Sequence, residues 1–329
     1  MKPEGIELAF APFETDKLRE VLYKQGNSVA KVFETVRSYA ERLRLLRQIE
    51  DYDAVFVYRE AALLGPAFLE KRIARKRPII YQLDDPLFVP YRSPSNGYLS
   101  YLKFFGKVKE IISFAKVVIV NSTPIRQYAE QFSKNIWQVP SVVDTDKFTY
   151  RPFAEDLDRV CVGWSGSPTT LKNLQMLERP LQTISKMGLC DIHLIGGEDF
   201  DLEDVNYTAT QWCEGTEVDD LRKMQVGLIP LPDSPWNPYK FIMKTSQYMA
   251  LGIVPVGTPM ASNTEAIRHG ENGFLAANEA EWVEYLTLLA KDNKLRTRLS
   301  EQAAMDAEAK YSLRAHTASI IAAFRSAVE

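Results

Sequence analysis

Apolar runs of five or six residues alternate with charged, helix-periodic stretches along almost the whole chain, and this alternation most constrains the fold. Strands separated by helices favour parallel sheets covered by helices. In the first half the strand-like runs are Ile6–Ala11, Ala54–Tyr58, Pro78–Gln82, Lys116–Asn121 and Ile136–Pro140. Charged helical stretches such as Ser38–Glu50 and Tyr98–Phe114 lie between them. In the second half the runs are Arg159–Trp164, Asp191–Ile195, Val226–Pro230 and Ile253–Gly257. The segment Asp144–Asp158, "DTDKFTYRPFAEDLD", separates the two sets and has the polar, Pro-containing make-up of a linker. An amphipathic stretch from about Leu313 to Glu329 closes the chain.

At 329 residues the chain exceeds one compact core and suits two domains of about 150 residues each. The expectation is an α/β protein with two Rossmann-like domains whose parallel sheets face each other across a cleft. The first would span 1–148 and the second 149–312, with the helix 313–329 returning to the first. Ligands of such sheets bind at the carboxyl ends of the strands.

Bulk properties exclude several classes. The formal net charge is −3, so overall charge points to no nucleic-acid partner. No apolar run approaches the roughly 20 residues of a transmembrane helix, and the N-terminus lacks a signal-peptide apolar core. The three cysteines and three histidines are scattered, which predicts neither a disulfide framework nor a bound metal. A reducing cytoplasmic setting, or the inner face of a membrane, fits this usage.

Two stretches of the second half carry charge where apolar residues dominate. In "NPYKFIMKTSQYMALGIVPVG" (Asn237–Gly257), Asn237 reads as an N-cap, Pro238 as the first helical residue and Gly252 as the stop. At 100° per residue, Lys240, Lys244 and Gln247 fall within about 60° of one another, a polar stripe on an apolar helix. Two ammonium groups one turn apart suit an anion, although the same lysines would also suit a half-exposed helix. In "VCVGWSGSPTTLKNL" (Val160–Leu174), a strand ends at Gly163–Trp164, a loop of Ser165, Gly166 and Ser167 follows, and Pro168 opens a helix bearing Lys172. Small residues let backbone amides approach a phosphate, or merely pack tightly. The loop is neither GxxxxGK[ST] nor GxGxxG, which removes the common nucleotide fingerprints and disfavours a nicotinamide oxidoreductase. A diphosphate is the simplest ligand the two stretches would share.

In the first half, Arg59 and Glu60 follow one strand and Asp84 and Asp85 another. They would hydrogen-bond a polyhydroxylated acceptor, or simply cap turns. The basic stretches Glu70–Pro78 and Tyr101–Lys116 suggest either a peripheral contact with an anionic membrane or helices packed on their own sheet.

Residues Lys240–Ala276, "KFIMKTSQYMALGIVPVGTPMASNTEAIRHGENGFLA", resemble the donor-site signature of family 4 glycosyltransferases of the GT-B fold. "VPSVVDTDKF" (Val139–Phe148), "VGWSGSPTTLKNL" and "WCEGTEVDDLRKMQVGLIPLPDSPW" (Trp212–Trp236) are similar to other parts of that family. The resemblance implies sugar transfer from a nucleotide diphosphate donor, with retention of configuration and without a cofactor or metal ion. It implies that Lys172 and Lys244 neutralise the leaving diphosphate with Lys240 close by. Gly163 and the Ser165–Ser167 loop would meet the phosphates, and Trp212 the base. Gln247 would meet the ribose, and Ser262, Asn263 and Glu265 would belong to the sugar-facing loop and its helix.

The chain also departs from the pattern. Tyr239 and Gln247 stand where the family commonly has a pair of glutamates, and Gln225 where an Asp is expected. "GIELAFAPFE" looks like the family's second strand, so one strand–helix unit is expected to be absent, leaving an open sheet edge that invites pairing. The first half has no histidine, so Asp84 is the candidate catalytic group beside the anomeric carbon. These departures keep open a nucleotide-sugar-binding protein without transferase activity. The acceptor, a saccharide, lipid or small molecule, is not specified.

Overall fold

A computed structural model describes residues 4–22, 28–90, 102–154, 159–197 and 200–329. Residues 98–101 of the expected helix and 155–158 of the expected linker lie outside them. The chain divides into two compact units, Met1–Val139 with Thr317–Glu329, and Pro140–His316.

The first unit holds a four-stranded parallel sheet of β1 (Val55–Tyr58), β2 (Ile79–Leu83), β3 (Val117–Val120) and β4 (Ile136–Gln138), in that order. The β-branched run "VVIV" of β3 is fully buried, as expected of a strand covered on both faces. The helix Lys107–Phe114 buries Val108, Ile111 and Ile112, so its apolar face is used within its own unit. The last helix, Leu313–Arg325, contributes Ala323, packed with Ile80, Val117, Ile119 and Val139.

The stretch Ile6–Ala11 forms no strand, contrary to the alternation of its apolar residues. It makes no ladder, Phe10 is 88% exposed, and the segment is anchored instead by Phe13, edge-on to Tyr39. The following helix, Ser28–Leu45, exposes Val29, Val32, Phe33 and Val36 while burying Lys31 and Ser38.

The second unit holds six parallel strands: β5 (Val160–Ser165), β6 (Cys190–Ile195), β7 (Thr208–Thr210), β8 (Val226–Ile229), β9 (Val254–Gly257) and β10 (Phe274–Leu275). Their spatial order is β10-β9-β8-β5-β6-β7. The order reverses between β5 and β8, the switch point where open α/β sheets bind ligands. β7 and β10 have only three and two residues, too short for an alternation signal. One core cluster joins Val162, Trp164, Leu194, Leu228 and Val256, and a second joins Ile229, Tyr248, Met249 and Leu251. Among the described residues no helix is long and apolar enough to cross a membrane.

Candidate functional site

The helix Met243–Leu251 leads from β8 toward β9 and is stopped by Gly252 at φ +76°, a left-handed conformation suited to glycine. It begins six residues later than the N-cap expected at Asn237. Asn237–Tyr239 is a 3-10 turn, and Lys240 and Ile242 are extended. The loop after β9 explains this. The Ser262 amide donates to the Lys240 carbonyl at 3.3 Å, and the Ile242 amide donates to Ser262 Oγ at 2.6 Å. These bonds take the backbone groups a longer helix would need. Lys240 therefore lies on the approach to the helix, while Lys244 and Gln247 share one helical face.

Tyr248 fixes this helix against the switch point. Its ring fills the space that a side chain on Gly227 of β8 would need, and its Oη accepts from the Ser165 amide of β5 at 2.9 Å. Lys244 is thereby held at the end of β5, with Nζ 4.3 Å from the centre of the buried Trp164 ring, a cation–π contact. A Cβ on Gly166 would overlap the Trp164 ring and lie 2.5 Å from Lys244 Nζ. Glycine is required there because loop and ammonium meet without room for a methyl group. Burial, and to a lesser extent Lys240, push the Lys244 ammonium down to about 7. No carboxylate pairs with it among the described residues.

The remaining second-unit candidates divide by what holds them. Lys172 is exposed at the start of the 3-10 segment Lys172–Leu177. The loop amides are not a free run of donors. Ser165 N–H goes to Tyr248, Gly166 N–H to the Ile195 carbonyl at 3.0 Å, and Ser167 N–H to Thr170 Oγ1 at 3.2 Å. Gly163 lies inside β5, where a Cβ would collide with Met224 and the His193 carbonyl, so its smallness serves packing. Ser262 and Asn263 are buried; Asn263 Oδ1 accepts from Thr245 Oγ1 at 2.8 Å and Asn263 Nδ2 donates to the Thr258 carbonyl at 3.1 Å. Both tie the loop to the helix. Glu265 is exposed in the first turn of Ser262–Ala266. Trp212 is half-exposed, and its Nε1 donates to Glu217 Oε1 at 3.3 Å. Gln247 Nε2 donates to the same oxygen at 3.5 Å. Glu217 was hidden in the acidic run "EGTEVDD", which reads as a solvated helix face.

In the first unit, Arg59, Asp84 and Asp85 converge at the adjacent ends of β1 and β2. Arg59 Nε lies 2.7 Å from Asp84 Oδ1, Arg59 Nη2 3.0 Å from Asp84 Oδ2 and 2.7 Å from Asp85 Oδ2. Tyr58 Oη donates to Asp84 Oδ2 at 2.5 Å. Arg59 adopts φ +60°, uncommon for a non-glycine residue. Burial opposes its charge, yet the hydrogen bonds and charges of Asp84 and Asp85 raise it further above the usual guanidinium range. Burial and the Asp84 bond push the Tyr58 phenol up to about 12. Glu60 forms a buried ion pair with Lys107 at 3.2 Å, and Lys107 Nζ also donates to the Ala62 carbonyl at 2.8 Å. Burial raises the Glu60 carboxyl above the usual range, against the pull of Lys107. Among the described residues no group of three or more His, Cys, Asp or Glu is placed to hold a metal.

Residues 241–306 match the family described as glycosyl transferases group 1. No curated protein matches the chain by sequence. Solved structures match it by fold. Sucrose-phosphate synthase from Thermosynechococcus elongatus aligns with TM-score 0.69 and 15% identity, over 90% of this chain and 78% of its own. Anabaena HepE, in complex with UDP and glucose, aligns with TM-score 0.64 and 16% identity, over 87% and 81%. S. aureus TarM, in complex with Fondaparinux, alpha-GlcNAc-glycerol and UDP, aligns with TM-score 0.58 and 16% identity, over 78% of this chain. The chain spans about half (51%) of that TarM chain. The fold is GT-B, and the family match together with these neighbours supports a glycosyltransferase.

Proposed function

We propose that the chain transfers a hexosyl group from a UDP- or GDP-sugar to a saccharide, lipid or small-molecule acceptor, with retention of configuration and without a metal ion. The observation that carries this reading is Lys244. A cation with no carboxylate partner among the described residues, against a glycine-containing loop at the switch point of the sheet, calls for an anion. In the reaction the bond from the anomeric carbon to the distal phosphate oxygen breaks, negative charge collects on the departing diphosphate, and a bond to the acceptor oxygen forms as the acceptor O–H bond breaks and its proton passes to that diphosphate. Lys244, with Lys240 adding to the field, stabilises that charge in place, which is electrostatic preorganisation. Lys172 reaches the same phosphates from the exposed start of its segment. Trp212 takes the base and Gln247 the ribose side.

On the acceptor side we assign Arg59, Asp84 and Asp85 to hydrogen bonding of hydroxyl groups. Asp84 already accepts from Arg59 and Tyr58, so it suits recognition better than proton removal. That observation also favours the second reading, a protein that binds nucleotide sugars without transfer. Incubation with UDP- and GDP-sugars and a panel of acceptors separates the two. Acceptor-dependent release of UDP or GDP, with an α-configured product from an α-configured donor, is expected for the enzyme. Donor binding with no transfer across the panel identifies the second reading, and absence of any nucleoside diphosphate binding overturns both.

A further inference from the structure

We propose that Glu217 binds the ribose of the nucleotide through its 2′- and 3′-hydroxyl groups, making it a determinant of specificity for ribonucleotides. The proposal rests on the reading above and adds a residue to it.

Glu217 opens the short helix Glu217–Leu221 in an acidic stretch, yet its side chain is only 14% exposed, whereas that of its neighbour Asp219 is 83% exposed. Three donors face the carboxylate. Trp212 Nε1 and Gln247 Nε2 approach Oε1 at 3.3 and 3.5 Å, and Lys147 Nζ lies 3.6 Å from Oε2. All three distances are long. An ionised carboxylate has about four acceptor sites; both hydrogen bonds fall on Oε1, and Oε2, with Lys147 at ion-pair distance only, keeps sites for two further donors.

Its position gives those donors an identity. A Cβ on Gly196 would touch the Gly166 carbonyl and lie 3.7 Å from Trp212 Cβ. The Gly166 loop in turn abuts Lys244 Nζ. Trp212, Gly196, Gly166 and Lys244 thus form one continuous strip along the carboxyl ends of β7, β6 and β5. Gln247, in contact with Glu217, and Lys244 are three residues apart on the same helical face, about one turn. A half-exposed indole, a carboxylate and an ammonium therefore follow one another in the order base, ribose, phosphate. The ribose diol supplies two hydroxyl donors, and an ionised carboxylate accepts only. A carboxylate facing a nucleotide ribose also solves the same problem in dinucleotide folds.

The test compares UDP and GDP with their 2′,3′-dideoxy forms, which lack both hydroxyl donors, on wild type, Glu217→Gln and Glu217→Ala, by calorimetry. Wild type should prefer the ribonucleotide by tenfold or more. Glu217→Gln keeps the shape, should weaken ribonucleotide binding by a similar factor, and should leave the dideoxy forms within about twofold, so that the preference collapses toward one. Inorganic pyrophosphate, which has no ribose, should bind both proteins equally and serves as the control for folding. If Glu217→Gln weakens both forms together with the preference intact, the carboxylate only braces Trp212 and the inference is overturned. If wild type binds nucleotides without preferring ribose, the inference falls while the proposed function stands. If wild type binds neither UDP nor GDP, both fall.

Discussion

Each unit places basic side chains at the carboxyl ends of its parallel strands, but the two units treat them differently. In the first, Arg59 is matched by Asp84 and Asp85, and Lys107 by Glu60. In the second, Lys244 meets an aromatic ring, a glycine and another lysine. In a matched pair, removing either partner strands the other as an uncompensated buried charge, whereas an unmatched, partly buried charge already costs stability until an anion arrives. Among the described residues, this contrast is what supports the proposal that the second unit takes the anionic ligand.

The largest expected effect comes from treating the two lysines alike. Lys107→Met leaves Glu60 buried without its partner and should destabilise the protein by about 3–5 kcal/mol, read as a fall in chemical denaturation midpoint. Lys244→Met removes an unmatched charge and should raise the stability of the unliganded protein by about 1–4 kcal/mol. Equal signs for the two substitutions would break the comparison. Gly166→Ala inserts a methyl group against the Trp164 ring and the Lys244 ammonium, and should cost about 1–3 kcal/mol through overpacking together with a loss of nucleotide affinity.

A pH series sharpens the same contrast. Lys244 has its folded value pushed down to about 7 from an ordinary 10.5. Between those values the unfolded chain binds a proton that the folded protein does not. The contribution of this group to stability therefore rises with pH across the window, by at most about 1.4 kcal/mol per pH unit. Below pH 7 both states carry the proton and the burial cost is present in full. Comparing wild type with Lys244→Met at pH 7 and pH 9 isolates the effect, because the variant should lack this slope. The smallest effect belongs to Lys172→Ala, whose exposed side chain should alter nucleotide affinity less than fivefold and in a salt-dependent way. A loss matching that of Lys244→Met would mean that Lys172 closes on the ligand.

Much of the second unit was legible in the sequence because its parallel strands are continuous apolar runs and its glycines sit where backbone or side chains crowd. The shared helical face of Lys244 and Gln247 was visible, but the helix start was not, and Lys240, expected on the same stripe, lies before the helix in an extended segment. The bonds from Ser262 to Lys240 and Ile242 come from a loop some 20 residues away, and local propensity at Asn237–Pro238 carries no trace of them. The loop Ser165–Ser167 was legible as a close approach, but its amides were already taken by Tyr248, Ile195 and Thr170, partners set by tertiary packing. Glu217 was invisible for the same reason: its burial depends on Trp212 and Gln247 from other elements. In the first unit, Ile6–Ala11 reads like a strand yet pairs with no strand among the described residues.

The central claim is that Lys244 waits for a diphosphate, and its protonation tests this most directly. Calorimetry of UDP and GDP at pH 8, in two buffers of different ionisation enthalpy, should show uptake of a proton approaching one per ligand bound by wild type. Lys244→Met should show no uptake and at least tenfold weaker binding. Proton-neutral binding by wild type, with affinity unchanged in Lys244→Met, would contradict the account.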